Sequence, residues 1–242
     1  MIDQYFQERE LTIPPVSFRV FGIGEKTLSI LNEIDSWGYQ GVKTIIFGKE
    51  EISPSEEDEM VIFINPDNYD ISLLTQLFFQ ADILILVIAS AGFNEITSSY
   101  DAVCLTEQTF IKNTVLGILY PLFHHGYIEF DFDDMLRLMK GQGKFKIYTD
   151  VSEKSDKKLD SLMLHFKEVI KQSGTIDNVA IILSFNYKTY QSTTTNDLRI
   201  VQETTRTLPE TTYVRWQIVI DEKFKDNQIK MITFFSGQNL NF

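Results

Sequence analysis

The stretch Gly126–Met135, GYIEFDFDDM, sets four acidic residues among aromatic and aliphatic ones within one short segment. Asp131 stands where it can cap a following helix, and Asp134 then falls in the first helical turn, where the helix dipole favours negative charge. The same acids can also be interpreted as catalytic carboxylates. The segment therefore allows either a solvated, capping turn or a catalytic loop, and the rest of the chain is needed to choose between them.

The composition is that of a soluble globular protein. Of the 242 residues, 43% are hydrophobic and 23% are charged, which is ordinary for a folded domain. The formal net charge of -12 argues against a surface for nucleic acid or anionic membrane. The longest apolar runs fall short of the roughly 18 residues that span a membrane, and the first residues lack the apolar core of a signal peptide. With Cys104 as the single cysteine, we expect a cytoplasmic protein without direct membrane insertion.

The first half of the chain alternates strand and helix patterns. A strand at Phe18–Phe21 leads through a turn with Gly22 and Gly24 into an amphipathic helix. The apolar residues of this helix are expected to be Leu28, Leu31 and Ile34. The run ADILILVIASAGF, which begins at Ala81, is continuously apolar, as in a strand buried on both faces of a parallel sheet. Between these segments we predict strands at Val42–Phe47 and Met60–Asn65 and a helix at Ile71–Gln80. The pattern predicts an α/β fold with a Rossmann-like first half.

The middle of the chain predicts one long central helix, at about residues 107–125, although Gly117 and Pro121 would weaken or kink it. After the acidic stretch we predict a helix and then, in order, a strand, a helix, a strand, a helix and two strands, the last two as a β-hairpin with a charged turn. The boundary is placed near Gly126. It divides the chain into a first domain, 1–125, that contains the central helix, and a second domain, 126–242.

Three segments resemble FtsZ, the bacterial tubulin-like GTPase of cell division. The central helix of that family ends in a loop of the form G-[LI]-[IM]-N-x-D-F-x-D-[VM]. The matching positions here, without a gap, are Gly126, Ile128, Asp131, Phe132, Asp134 and Met135. Upstream, VLGIL (Val115–Leu119) is similar to a run in the family's central helix. Downstream, VIDEKFKDNQIKMITFFSG (Val219–Gly237) is similar to the family's I-D-E ending. The resemblance covers most of the chain.

The resemblance implies a fold with a reduced Rossmann-like nucleotide domain, a central helix and an α+β second domain of FtsZ type. In FtsZ-like filaments the acids that match Asp131 and Asp134 enter the nucleotide site of the next subunit and orient the attacking water. These two residues are therefore the candidate catalytic pair. The candidate interface is formed by Glu129, Asp131, Phe132 and Asp134. Glu129 stands where the family has asparagine.

The nucleotide end matches the family poorly. FtsZ cradles phosphates in glycine-rich loops whose backbone N–H groups face the ligand, whereas VFGIGEKTLSI retains only Gly22 and Gly24 and places Glu25 where phosphate charge would lie. The second phosphate loop of the family follows a strand that begins A-D, and here that region offers only Gly92. These three glycines are the candidate, vestigial nucleotide-binding residues. GTP or GDP is expected only if the site is retained, and no metal site is predicted.

Besides an interaction scaffold that has kept the fold and lost every ancestral partner, two functions follow from these observations. The sequence favours a shortened, degenerate pseudo-GTPase of a division-type filament system, which acts in filament assembly or regulation through residues 126–135. Its partner would be an FtsZ-type protein or a second copy of itself. The alternative is a divergent FtsZ homologue that still binds and hydrolyses GTP, and the sequence leaves the enzymatic activity open.

Overall fold

The computed structural model describes residues 17–48, 52–93, 99–124, 126–128, 130–152, 158–226 and 228–241, with the backbone alone at 17, 126–128 and 158. The strands of this part of the chain form one sheet of ten strands in the order β2-β1-β3-β4-β5-β7-β10-β8-β9-β6. The strands are β1 (Ser17–Gly22), β2 (Val42–Ile46), β3 (Asp58–Asn65), β4 (Leu84–Ala89), β5 (Ala102–Leu105), β6 (Gly126–Ile128), β7 (Gly143–Ser152), β8 (Asn178–Phe185), β9 (Tyr213–Ile220) and β10 (Ile229–Ser236). The helices are α1 (Leu28–Ser36), α2 (Ser72–Phe79), α3 (Gln108–Phe123), α4 (Phe132–Met139), α5 (Lys158–Gln172), α6 (Tyr187–Ser192) and α7 (Thr195–Thr205). The α/β prediction is confirmed.

The first half is a parallel sheet in which β1 lies between β2 and β3. The apolar run predicted as a doubly buried strand is β4, and each of its residues is buried. The sequence pattern missed β5, which has only four residues. The predicted apolar face of α1 was wrong at Leu28, which is 44% exposed. Because a 3-10 turn at Glu25–Thr27 precedes the helix, the residues buried on this side are Thr27 and Ile30 instead of Leu28.

The central helix, α3, packs on both halves of the sheet. Ile111, Val115 and Ile118 belong to one core with residues of β1, β3 and β4, and the same core includes Ile182 of β8 and Ile232 of β10. The helix continues through Pro121 to Phe123. Because the helix contacts strands of both halves, it joins the first half of the sheet to the second.

The second half begins with β6, a short strand where we expected a turn, and β6 pairs with β9 in antiparallel fashion. The predicted hairpin of the last two strands was wrong. β10 pairs with β7 and β8, and β8 lies between β10 and β9. Nearly all of β10 is buried, which fits a central strand better than a hairpin arm. A second core lies on the face that α5 and α7 cover. In the described segments no helix has both the length and the apolar character to cross a membrane.

Candidate functional site

Gly24 lies at the carboxyl end of β1, on the turn that leads into α1. Its φ is 86°, a left-handed value that glycine adopts without steric cost. A Cβ atom at Gly24 would lie 3.0 Å from the Tyr69 ring and 3.3 Å from Asp67 Oδ2. The side chains of the loop after β3 therefore stand directly against this turn.

Gly22 is required by internal packing. A Cβ atom there would collide with the Thr27 side chain and would lie 2.7 Å from Leu31 Cδ1. The Thr27 hydroxyl donates a hydrogen bond of 2.7 Å to the carbonyl oxygen of Gly24. These contacts close the end of β1 against the first turn of α1, and they account for Gly22 without any ligand.

Gly92 follows β4 with a φ of 93°, and its neighbour across the sheet edge is Asn68. The Asn68 amide donates to the carbonyl oxygen of Ala91 at 3.1 Å. The Ser90 hydroxyl donates to the carbonyl oxygen of Pro66 at 2.6 Å. Hydrogen bonds thus join the loops after β3 and β4, and the loop after β3 contacts the turns of both Gly24 and Gly92.

That loop, residues 65–69, contains functional candidates that we did not predict. The Asn65 side chain braces it twice, because its amide donates to the Tyr69 carbonyl at 2.8 Å and its oxygen accepts from the Tyr69 N–H at 2.9 Å. Asn68 has a positive φ of 56°. In the sequence, this loop could be recognised only from the stretch NPDN at the end of a buried strand, because these residue types favour turns. The sequence pattern could show a turn there but not the approach of Asp67 to Gly24.

This edge of the sheet carries several carboxylates. Glu25 is exposed at the start of the 3-10 turn. Lys26 forms an ion pair with Asp67, and the hydrogen bond and charge of Asp67 raise the pKa of Lys26. Asp70 accepts hydrogen bonds from Ser72, which lower the pKa of its carboxyl group. Lys26, the cation next to Glu25 in sequence, is thus already paired with Asp67 of the loop after β3.

The other candidate segment begins α4. Asp131 is the N-cap of that helix and is exposed. Its carboxylate accepts from the Asp134 N–H at 2.9 Å, and the Asp134 carboxylate accepts from the Asp131 N–H at 3.4 Å. Phe132 is half-buried, with its ring centroid 5.5 Å from that of Phe18. Glu129 lies outside the described residues.

Asp134 is buried, with 6% of its surface exposed. Arg215 Nε and the Tyr213 hydroxyl each donate to its carboxylate at 3.0 Å. Burial and the bond to Asp134 raise the pKa of Tyr213. The two acids singled out from the sequence therefore differ in environment. Asp131 faces solvent, whereas Asp134 is held by two side chains of β9.

A further acid shares the exposed side of this segment with Asp131. Asp133 is exposed and acts on Glu59 of β3, where burial and the charge of Asp133 raise the pKa of the carboxyl group. The outward-facing carboxylates are therefore Asp131 and Asp133 rather than Asp131 and Asp134. The sequence does not distinguish these two pairs, because the distinction depends on which side of α4 meets β9.

The end of α3 close to this segment contains a half-buried histidine. His124 Nδ1 lies 2.9 Å from the Tyr120 carbonyl oxygen, so this nitrogen carries the proton and donates. His124 Nε2 lies 3.9 Å from Asp221 Oδ2. Burial lowers the pKa of His124, against smaller raising effects of the Tyr120 carbonyl and Asp221. The Gln217 amide of β9 donates to the His124 carbonyl oxygen at 3.0 Å and thereby caps the helix end.

The described residues contain no group of three or more His, Cys, Asp or Glu side chains arranged to hold a metal ion.

Comparison with solved structures finds the same architecture in filament-forming proteins. An FtsZ dimer from M. jannaschii superposes with a TM-score of 0.70 at 12% sequence identity, and the match covers 98% of this chain and 91% of the other. TubZ of Bacillus thuringiensis serovar israelensis, in a GTPγS-form protofilament, gives a TM-score of 0.65 at 11% identity over 94% of this chain and 88% of the other. A TubZ described as a protein of type III plasmid segregation also gives 0.65, at 10% identity.

Comparison of structures finds relatives of this chain, whereas comparison of sequences finds none. No family model matches the chain, and no curated protein matches it. The likeness is carried by the arrangement of strands and helices over nearly the whole chain, including the central helix and the second half. The chain has the FtsZ/tubulin-like fold.

Proposed function

We propose that the chain is a degenerate FtsZ-like protein, a pseudo-GTPase that acts in filament assembly or regulation through residues 126–135. The observation that carries this proposal is the filled turn at Gly24. Asp67 and Tyr69 stand 3.3 Å and 3.0 Å from the position of a Gly24 Cβ atom, and Glu25 is exposed beside them. A phosphate site needs open backbone N–H groups and favours cations, and this turn presents carboxylates.

The acidic end of the molecule supports a docking role. Asp131 and Asp133 are exposed at the start of α4, while Asp134 is occupied by Arg215 and Tyr213. A carboxylate that already accepts hydrogen bonds from two side chains of its own chain is a poor candidate for orienting water in a neighbour. The two exposed acids can still meet the nucleotide-bearing end of another subunit.

The mechanism that follows is filament capping. Residues 126–135 dock on the nucleotide end of a competent FtsZ-type subunit, and the Gly24 edge of this chain offers the next subunit no nucleotide. Growth at that end then stops. TubZ of Bacillus thuringiensis serovar israelensis, which shares this fold, is seen in protofilaments, and self-association through the same surfaces is the other arrangement that we consider.

A second function is favoured by one observation. Gly24, Asn68 and Gly92 lie together at the carboxyl ends of parallel strands, where open α/β sheets bind their ligands. This is the expectation for a divergent GTP-binding homologue. In that case Glu25 and Asp67 would have to turn away from the phosphates.

Co-sedimentation with an assembled FtsZ-type protein tests the first function. We expect the wild-type chain to reduce the pelleted polymer at substoichiometric amounts, because one cap acts on a whole filament. The double variant Asp131→Asn/Asp133→Asn removes the exposed charges and keeps an N-cap residue, and it should lose the effect. Asp160→Asn, an exposed acid in the first turn of α5, is the matched control and should keep it. A wild-type chain that neither pellets with the polymer nor changes its amount contradicts the proposal.

A further inference from the structure

β7 has a strand partner along the whole of one edge but along only the beginning of the other. From Phe145 to Ser152 it pairs with β10, whereas its pairing with β5 involves Gly143 and Lys144. β5 ends at Leu105, and the chain then turns into α3. In the part of the chain that the structure describes, the edge of β7 beyond the end of β5 therefore has no neighbouring strand.

A cavity of about 460 Å³ lies along this open edge. Residues 146–149, four in a row, line it, although successive side chains of a strand point to opposite faces of the sheet. Ile147 turns to α3, where it meets Gly117, and the Tyr148 ring turns to the other face, where it packs on Phe235. A space that touches both must lie beside the strand. The cavity is therefore a slot in the sheet at the end of β5, here called the edge slot, and its volume is that of a ligand site.

The backbone groups of Ile147 and Thr149 point into the edge slot. The Gly143 N–H donates to the Asp101 carbonyl oxygen, just before β5, at 2.8 Å, and the Lys144 carbonyl oxygen accepts from the residue that follows β10 at 3.1 Å. Because these directions alternate along a strand, the N–H and C=O groups of Ile147 and Thr149 face away from β10. Within the described ranges neither residue has a backbone partner on that side. Unpaired strand edges of this kind are templates for a further strand.

The next backbone N–H on this edge is already satisfied. Val151 N–H donates at 2.8 Å to the carboxylate of its neighbour, Asp150, and neither residue lines the edge slot. The backbone bonds on offer are therefore confined to Ile147 and Thr149, which suits a short strand of about four residues, roughly 13 Å long.

The walls of the edge slot indicate which side chains such a strand carries. Phe110, with 54% of its surface exposed, and Ile147 form an apolar wall on the α3 side. Glu107 is an exposed acid on the same lining, whereas Lys146 already has a partner within the chain. In a chain with a net charge of -12, this arrangement favours a neutral or basic occupant over an acidic one.

We propose that the edge slot binds an extended peptide segment of a partner protein, which adds a short strand beside residues 146–149. Its backbone bonds to Ile147 and Thr149, its apolar side chains face Phe110, and its charge is neutral or basic. The proposal is independent of the capping function, because it uses neither the Gly24 edge nor residues 126–135.

Amide hydrogen exchange of the free, whole chain, followed by NMR, tests the open edge. The N–H groups of Lys146 and Tyr148 point to β10 and should be protected. Those of Ile147 and Thr149 should exchange at least about ten-fold faster. Equal protection at all four positions would overturn the proposal, because the edge would then be covered.

An acetylated and amidated peptide of the sequence KVTVTV is the probe for strand addition, because it is basic and alternates apolar with polar side chains. At millimolar concentration it should slow exchange at Ile147 and Thr149 by about ten-fold or more and raise the melting temperature. Two forms of the peptide, N-methylated on alternate residues, keep its side chains and charge, but each blocks a different edge of the added strand. One form should bind like the parent peptide and the other should not. The proposal fails if the parent peptide does not bind or if both forms bind equally.

Two proline variants locate the binding on β7. Thr149→Pro removes an N–H group that faces the edge slot and leaves the pairing with β10 in place, since proline is tolerated on an open strand edge. It should weaken the parent peptide by about ten-fold or more. The matched control is Val151→Pro, because the N–H of Val151 faces the same edge but is already bonded to Asp150, and it should bind like the wild type. A folded Thr149→Pro chain that binds the peptide as tightly as the wild type would overturn the assignment, and the N-methylated pair decides the matter on the wild-type chain if this variant does not fold.

Discussion

Replacing Asp134 by alanine removes a buried carboxylate that accepts hydrogen bonds from Arg215 and Tyr213, each at 3.0 Å. Breaking a buried ion pair by deleting one partner costs about 3–5 kcal/mol. The Arg215 side chain is 42% exposed, so its guanidinium group can recover hydration. We therefore expect a loss of about 2–3 kcal/mol in the free energy of unfolding. The reciprocal bond to the Asp131 N–H, at 3.4 Å, is long and adds little.

Substitutions at Asp131, the exposed acid of the same helix end, should cost less stability than those at Asp134. Asp131→Ala removes an N-cap on a helix end and should cost about 1 kcal/mol, and Asp131→Asn should cost almost nothing because asparagine is an equally good cap. Asp134→Asn keeps an acceptor for Tyr213 and should fall between the alanine variant and the wild type. The assay is urea unfolding followed by tryptophan fluorescence, with Trp216 on β9 as a local reporter. An Asp134→Ala variant no less stable than Asp131→Ala would refute the assignment of Asp134 to internal packing.

Three more outcomes follow from the structure. Gly117→Ala gains helix propensity of about 1 kcal/mol but presses on Ile147, where a Cβ would lie 2.7 Å from Cγ2. We expect a net loss of about 1–2 kcal/mol in urea unfolding. In an Ile147→Ala background the clash is gone, so adding Gly117→Ala should cause no further loss, and an undiminished loss there would contradict the explanation. Burial lowers the pKa of His124 below its usual value of 6.5. As the pH drops below 6.5, the unfolded chain therefore binds a proton before the folded chain does, and the free energy of unfolding should fall. His124→Gln should lack this part of the fall when unfolding is measured against pH. Burial raises the pKa of Cys104 to about 12, so at pH 8 a thiol-reactive chromogenic disulfide should label the native chain more than about a hundred-fold more slowly than the urea-unfolded chain, and equal rates would contradict this.

The parts of the fold that the sequence predicted well are those with a local pattern. The run from Ile83 to Ala89 is apolar throughout, so its burial in a parallel sheet could be inferred without knowing its neighbours. The helical spacing of α3 and the capping position of Asp131 are also local. Asp131 is the N-cap in the structure, as the acidic turn interpretation required.

The parts that were missed depend on contacts between distant segments. β10 is inserted between β7 and β8, and a charged turn before it is compatible with that pairing as well as with a hairpin. The partner of Asp134 is Arg215, far away in sequence, so periodicity in α4 could not show that this acid is occupied. The approach of Asp67 to Gly24 depends in the same way on the packing of two loops that follow different strands.

The central proposal is that side chains of the loop after β3 close the turn at Gly24 to phosphate, and calorimetric titration with GTP and GDP in the presence of Mg²⁺ tests it most directly. Because Glu25 and Asp67 oppose phosphate and Tyr69 stands against the turn, we expect no saturable binding of either nucleotide in the micromolar range. The control is Glu25→Gln/Asp67→Asn, which removes both charges and shows whether electrostatics alone closes the site. Micromolar binding of GTP by the wild-type chain would contradict the account and would favour the divergent GTPase.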